Sequence, residues 1–86
     1  MNKQIQDFRK EVNKIDKQII KLFQDRMNIS KEIGKIKKEN NIPIENLQRE
    51  KEILEERKIN SDLNKEFVKD LFNLIFKESK RIQREP

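Results

Sequence analysis

Apolar side chains recur along the first part of the chain at alternating intervals of three and four. The series runs Ile5, Phe8, Val12, Ile15, Ile19, Leu22, then Ile29, Ile33 and Ile36, with Arg26 standing where another apolar residue is due. That spacing keeps one face of an α-helix apolar, and no strand-like alternation competes with it. It predicts a first helix from about residue 3 to about residue 39. The stretch "ENNIPI" ends it, because Asn40 and Asn41 form turns and Pro43 disfavours helical geometry at Ile42. Asn46, Arg49, Glu50, Ile53 and Leu54 share one face of a second helix, expected over about 45–59. A third is expected over about 64–84, with Asn64 as its N-cap and Glu66 favoured in its first turn. It carries one stripe of Leu63, Phe67, Leu71, Leu74 and Ile75. A second stripe of Val68, Phe72 and Ile75 or Phe76 turns polar at Ser79 and Gln83. The expected fold class is all-α: one domain spanning residues 1–86, three helices, the first very long.

The length of the first helix has a consequence. At 1.5 Å per residue it reaches about 55 Å. A compact globule of this size is only about 30 Å across. Two shorter helices cannot cover such a rod, so part of its apolar seam is expected to meet another chain. An antiparallel twofold homodimer is the simplest closed solution.

Polar residues interrupt each apolar stripe. They are Arg26 and Lys37 in the first helix, Asn46, Arg49 and Glu50 in the second, and Ser79 and Gln83 in the third. Singly, each has an ordinary explanation. A seam arginine fixes register, a lysine near a helix end meets the dipole, charged neighbours pair at the surface, and a polar end frays. Jointly, three helices packed on these stripes bring them to one pocket. Glu50 alone cannot balance Arg26, Lys37 and Arg49, so the surplus is cationic and suits a ligand with carboxylates. Gly34, the only glycine, sits mid-helix at a cost of about 1 kcal/mol relative to alanine. It leaves room either for a ligand or for a close helix approach.

Composition narrows the chemistry. The 86 residues contain no cysteine and no histidine, so neither thiolate chemistry nor an imidazole base or metal ligand is offered. No metal or cofactor is expected. The net charge of +5 and the 43% of charged residues describe a solvated helical surface. Basic blocks and aromatic stacking series are lacking, which argues against a nucleic-acid partner. No apolar run approaches a membrane span, and "MNKQIQDFRK" has no signal-peptide core, so a soluble cytoplasmic protein is the expectation.

The segments "FRKEVNKIDKQIIKLFQDRMNISKEIGKIK", "IPIENLQREKEIL" and "LFNLIFKESKRIQ" resemble the all-helical class of chorismate mutases, from about Ile5 to Gln83. The resemblance implies a three-helix protomer, two copies of which intertwine around two equivalent sites. It implies the rearrangement of chorismate to prephenate in phenylalanine and tyrosine biosynthesis. Carried over by position, Arg26, Lys37, Arg49, Glu50, Ser79 and Gln83 line one chain's site, and Arg9 enters from the partner. Asn46 stands where the family often has an aspartate near the substrate hydroxyl. By this resemblance Arg9 and Arg26 bind the two carboxylates with Ser79 assisting. Lys37 and Gln83 donate to the ether oxygen, Glu50 accepts from the ring hydroxyl, and Arg49 orients Glu50. The expected catalytic residues are thus Lys37, Gln83, Arg26 and Glu50. Helix geometry agrees on Arg9: about 25 Å from Arg26 along a continuous helix, it cannot reach its own chain's pocket. In an antiparallel pair crossing near residue 20 it falls opposite residue 31 of the other chain. The alternatives are an isochorismate-pyruvate lyase on the same fold and a non-catalytic helical regulatory or binding module.

Overall fold

A computed structural model describes residues 2–86. Among them are three helices: α1 (Lys3–Glu39), α2 (Leu47–Ile59) and α3 (Lys65–Arg84). Asparagine opens all three. Oδ1 of Asn2 accepts from the Ile5 amide at 3.2 Å, that of Asn46 from Arg49 at 3.0 Å, and that of Asn64 from Phe67 at 2.9 Å. Each satisfies an amide the first turn leaves unpaired. Because Asn46 is spent as a cap, α2 starts at Leu47 rather than near Glu45.

Asparagine also ends α1. Asn41 adopts a positive φ of 56°, a conformation usually left to glycine. The Ile42 amide then donates to the Lys37 carbonyl at 2.8 Å, and the Asn41 amide to Lys38 at 3.4 Å. This pair of bonds is a Schellman closure, and Pro43 behind it prevents the helix resuming.

The helices pack in the order α1, α3, α2. α3 lies against both of the others, while the backbones of α1 and α2 stay apart. α1 and α3 run parallel. Ser30 faces Ser79, and one turn on Gly34 faces Gln83. α2 runs the opposite way, so the ring of Phe72 meets Arg57 near its end and Lys80 meets Glu50 near its start. The assembly measures 57 × 28 × 15 Å, its long dimension set by α1.

The packed faces differ from those the apolar pattern suggests. On α1 the buried residues are Ser30 and Gly34, with Phe23 and Met27 half-buried on the same side. The apolar seam lies next to that face and stays exposed, from Ile5, Phe8 and Val12 to Ile29, Ile33 and Ile36. On α3 the second stripe is the one covered: Val68, Ile75 and Phe76 form the core, and Ser79 and Gln83 extend it. Phe67 and Leu74 of the first stripe remain open. Small residues explain the choice on α1, since they let two backbones approach where isoleucine holds them apart.

Candidate active site

The absence of direct α1–α2 packing leaves a cleft above the second half of α3. It has a volume of about 460 Å³. α1 lends it Arg26, Ser30 and Lys37, with Ile29 and Ile33 between them. α2 and the residues before it lend Asn46, Arg49 and Glu50, with Ile44 and Ile53. α3 supplies Phe76, Ser79, Lys80 and Gln83. Seven of the residues singled out from the sequence thus line one cavity: Arg26, Lys37, Asn46, Arg49, Glu50, Ser79 and Gln83. Arg9 does not join them; it lies on the exposed N-terminal half of α1.

Arg26 is half-buried. Burial first, and then the nearby positive charge of Arg57, lower its pKa from the ordinary value. Both causes oppose a guanidinium cation, so an anion beside it is stabilised. Lys37 reaches across the mouth of the cleft and donates from Nζ to the Ile44 carbonyl at 2.8 Å. That bond ties α1 to the segment leading into α2.

Beneath the cavity runs a chain of polar groups. Gln83 Nε2 donates to Ser79 Oγ at 3.1 Å, and Ser79 Oγ donates to Ser30 Oγ at 2.7 Å. All three residues are buried. Oε1 of Gln83 is buried with no hydrogen-bond partner. A buried polar atom left unpaired is costly, and the network has a second arrangement that pairs it. Ser30 can donate to Ser79, and Ser79 to Oε1, once the amide turns over. Nε2 then takes the buried position that Oε1 holds now, with both of its hydrogens free of the serines.

One expectation changes here, and one choice left open by the sequence closes. Glu50 is held by Lys80 on α3, at 3.1 Å, and not by Arg49. Arg49 instead pairs along its own helix with Glu52 at 3.7 Å, and its side chain is 62% exposed. Gly34 is not a gap for ligand. A Cβ built there would lie 2.8 Å from Gln83 Cα and 3.0 Å from its carbonyl oxygen, so the glycine exists for helix approach. Sequence reasoning missed Lys80 and the Ile44 carbonyl. Lys80 meets Glu45 across 35 residues of chain, and the Ile44 carbonyl is backbone outside any helix, so neither carries a periodic signal.

The family model for chorismate mutase type II matches residues 8–84. A bifunctional chorismate mutase/prephenate dehydratase of Buchnera aphidicola from Acyrthosiphon pisum is 40% identical over 82 residues, covering 90% of this chain and 21% of that protein. The chain therefore spans about a fifth of the length of that relative. A chorismate mutase of Methanocaldococcus jannaschii is 28% identical over 88 residues, covering 99% of this chain and 89% of its own length. A solved structure from Pyrococcus furiosus, described as a conserved hypothetical protein, superposes with a TM-score of 0.83 at 42% identity over 98% of this chain and all of that one. With the family model matching nearly the whole of its three helices, the chain belongs to the chorismate mutase type II family.

Proposed function

We propose that this protein catalyses the intramolecular Claisen rearrangement of chorismate to prephenate. The observation that carries the reading is the convergence of Arg26, Lys37, Glu50, Ser79 and Gln83 on one cleft that holds more cationic than anionic groups. The rearrangement is unimolecular and pericyclic. It needs no nucleophile and no obligatory proton transfer. What remains is to hold a flexible dianion in its compact reactive conformer and to stabilise the ether oxygen as its bond to carbon breaks.

The chain's own residues suit those tasks. Arg26 takes a substrate carboxylate, relieving the electrostatic penalty that burial and Arg57 impose on it. Ser79 assists. Lys37 leaves the Ile44 carbonyl for the ether oxygen, where its charge is worth most as negative charge develops. Gln83 supplies a second donor there after the amide turns over and Ser79 satisfies Oε1. Glu50 accepts from the ring hydroxyl. The Asn46 side-chain oxygen is engaged in capping and its carbonyl accepts from the Glu50 amide, which leaves its backbone N–H and side-chain nitrogen to meet substrate.

The second carboxylate needs a further cation, which we assign to Arg9 of a second copy. Residues 3–22 of α1 are exposed throughout, including Phe8 at 64% and Leu22 at 66%. A seam of this extent suits an antiparallel pairing with its own kind. Each cleft then receives Arg9 from the other chain, and an isolated protomer is inactive. Among the described residues no helix is long and apolar enough to cross a membrane. The reading is tested by adding the protein to chorismate and identifying the product. Loss of the ring-diene absorbance with formation of prephenate supports it, and unchanged chorismate contradicts it.

A further inference from the structure

Lys80 follows Ser79 on α3 and lines the same cleft. Its side chain is only 19% exposed, in a chain whose lysines are mostly solvated. Nζ lies 3.0 Å from Oε2 of Glu45 and 3.1 Å from Oε2 of Glu50. These carboxylates stand on either side of the Asn46 cap, one just before α2 and one in its first turn. The hydrogen bond to Glu45, then the bond and charge of Glu50, hold the Lys80 ammonium above its ordinary pKa range. Glu45 is held below its own, chiefly by the same hydrogen bond.

Two features make this bridge matter. First, α2 contains no fully buried residue and packs on α3 alone. Apolar burial therefore does little to fix where its first turn sits. Second, Glu50 faces a cleft with Arg26, Arg49 and Lys37 on its walls, yet its ion pair is with Lys80 and with none of these. An ionised carboxylate without its own counter-ion is drawn to the nearest guanidinium or ammonium group, which removes that cation from the ligand. Glu45 and Glu50 would also repel each other without the ammonium between them.

We propose that Lys80 is a positioning residue. By bridging Glu45 and Glu50 it fixes the first turn of α2 against α3 and keeps the Glu50 carboxylate available to a ligand hydroxyl instead of to the cleft's own cations. The inference rests on the reading of this cleft as a chorismate site.

The test is a double-mutant cycle in chorismate turnover, with thermal melts run in parallel. Lys80→Met is expected to lower kcat/KM about tenfold, and Lys80→Arg to restore it to within about threefold. In a Glu50→Gln background, Lys80→Met is expected to cost less than about twofold more, because its effect passes through Glu50. Glu45→Gln removes one arm of the bridge. It is expected to raise KM roughly threefold at nearly unchanged kcat, and it reads the bridge even if Lys80→Met does not fold. Additive losses in the cycle overturn the inference, since they mean that Lys80 does not act through Glu50. So does full activity of Lys80→Met or of Glu45→Gln, or failure of arginine to rescue. Wild-type protein that leaves chorismate unchanged overturns the functional reading and this inference with it; turnover with additive losses overturns this inference alone.

Discussion

Gly34 and Gln83 are in backbone-level contact. A Cβ on residue 34 would come within 2.8 Å of Gln83 Cα, closer than carbon atoms tolerate without a shift. The glycine thus sets how near α3 lies to α1, and with it the height of Gln83 and Ser79 in the cleft. Gly34→Ala gains about 1 kcal/mol of helix propensity but imposes an overpacking cost of roughly 1–3 kcal/mol. We predict a lowered melting temperature and at least about a tenfold loss of turnover, because displaced donors no longer meet the ether oxygen. A variant that melts higher and turns over normally contradicts this account of Gly34.

The buried hydroxyl pair gives a second prediction. Ser30 reaches the Gln83 amide only through Ser79, whose hydroxyl sits between them. Ser30→Ala removes a small side chain and leaves the helix contact intact. It is expected to lower kcat severalfold, with KM little changed, and to cost about 1 kcal/mol in stability. Steady-state kinetics and a denaturant melt check both numbers. An unchanged kcat excludes the serine relay from the alignment of Gln83.

The proposed donation of Arg9 from a second copy gives a third. Arg9→Ala and Lys37→Ala are each expected to abolish most activity as separate preparations. Unfolded together and refolded, they form mixed dimers with one intact site in two. Activity is expected to return to about a quarter of the wild-type level. No recovery, with mixed dimers shown to be present, contradicts the donation of Arg9 across the interface.

The acidic limb of stability gives a fourth. Glu45 is held below its ordinary value of 4.5 by the hydrogen bond and charge of Lys80. A depressed folded-state pKa stabilises the fold above the unfolded value and is lost as pH falls through the folded one. Lys80, whose pKa is raised, stays charged across this acidic window and adds no pH dependence of its own there. Melting temperature is therefore expected to fall as pH drops below about 4.5, less steeply in Glu45→Gln. Parallel slopes for the two proteins would remove Glu45 from the account.

Much of this was legible in the sequence. The spacing of Ile5 to Ile36, the asparagine at position 64 and Pro43 locate the helices because each acts locally. The polar interruptions at Arg26, Lys37, Glu50, Ser79 and Gln83 mark the cleft because they break a pattern otherwise kept. What escaped depends on tertiary choice. The seam of α1 is the obvious packing face, yet α3 takes the neighbouring face of Ser30 and Gly34. Hydrophobicity does not signal that preference; close approach of small residues does, and it is visible only with both helices in place. Lys80 reads as one more surface lysine until Glu45 and Glu50 are brought beside it.

The central claim is that the cleft's cations, Lys37 foremost, carry the rearrangement of chorismate. Its most direct test is the initial rate of chorismate loss, with prephenate identified, for wild-type protein and Lys37→Ala at equal concentration. We predict sustained turnover by the wild type and a rate lower by about 100-fold or more in the folded variant. A wild-type rate equal to that of buffer, or a Lys37→Ala rate equal to the wild type, would contradict it.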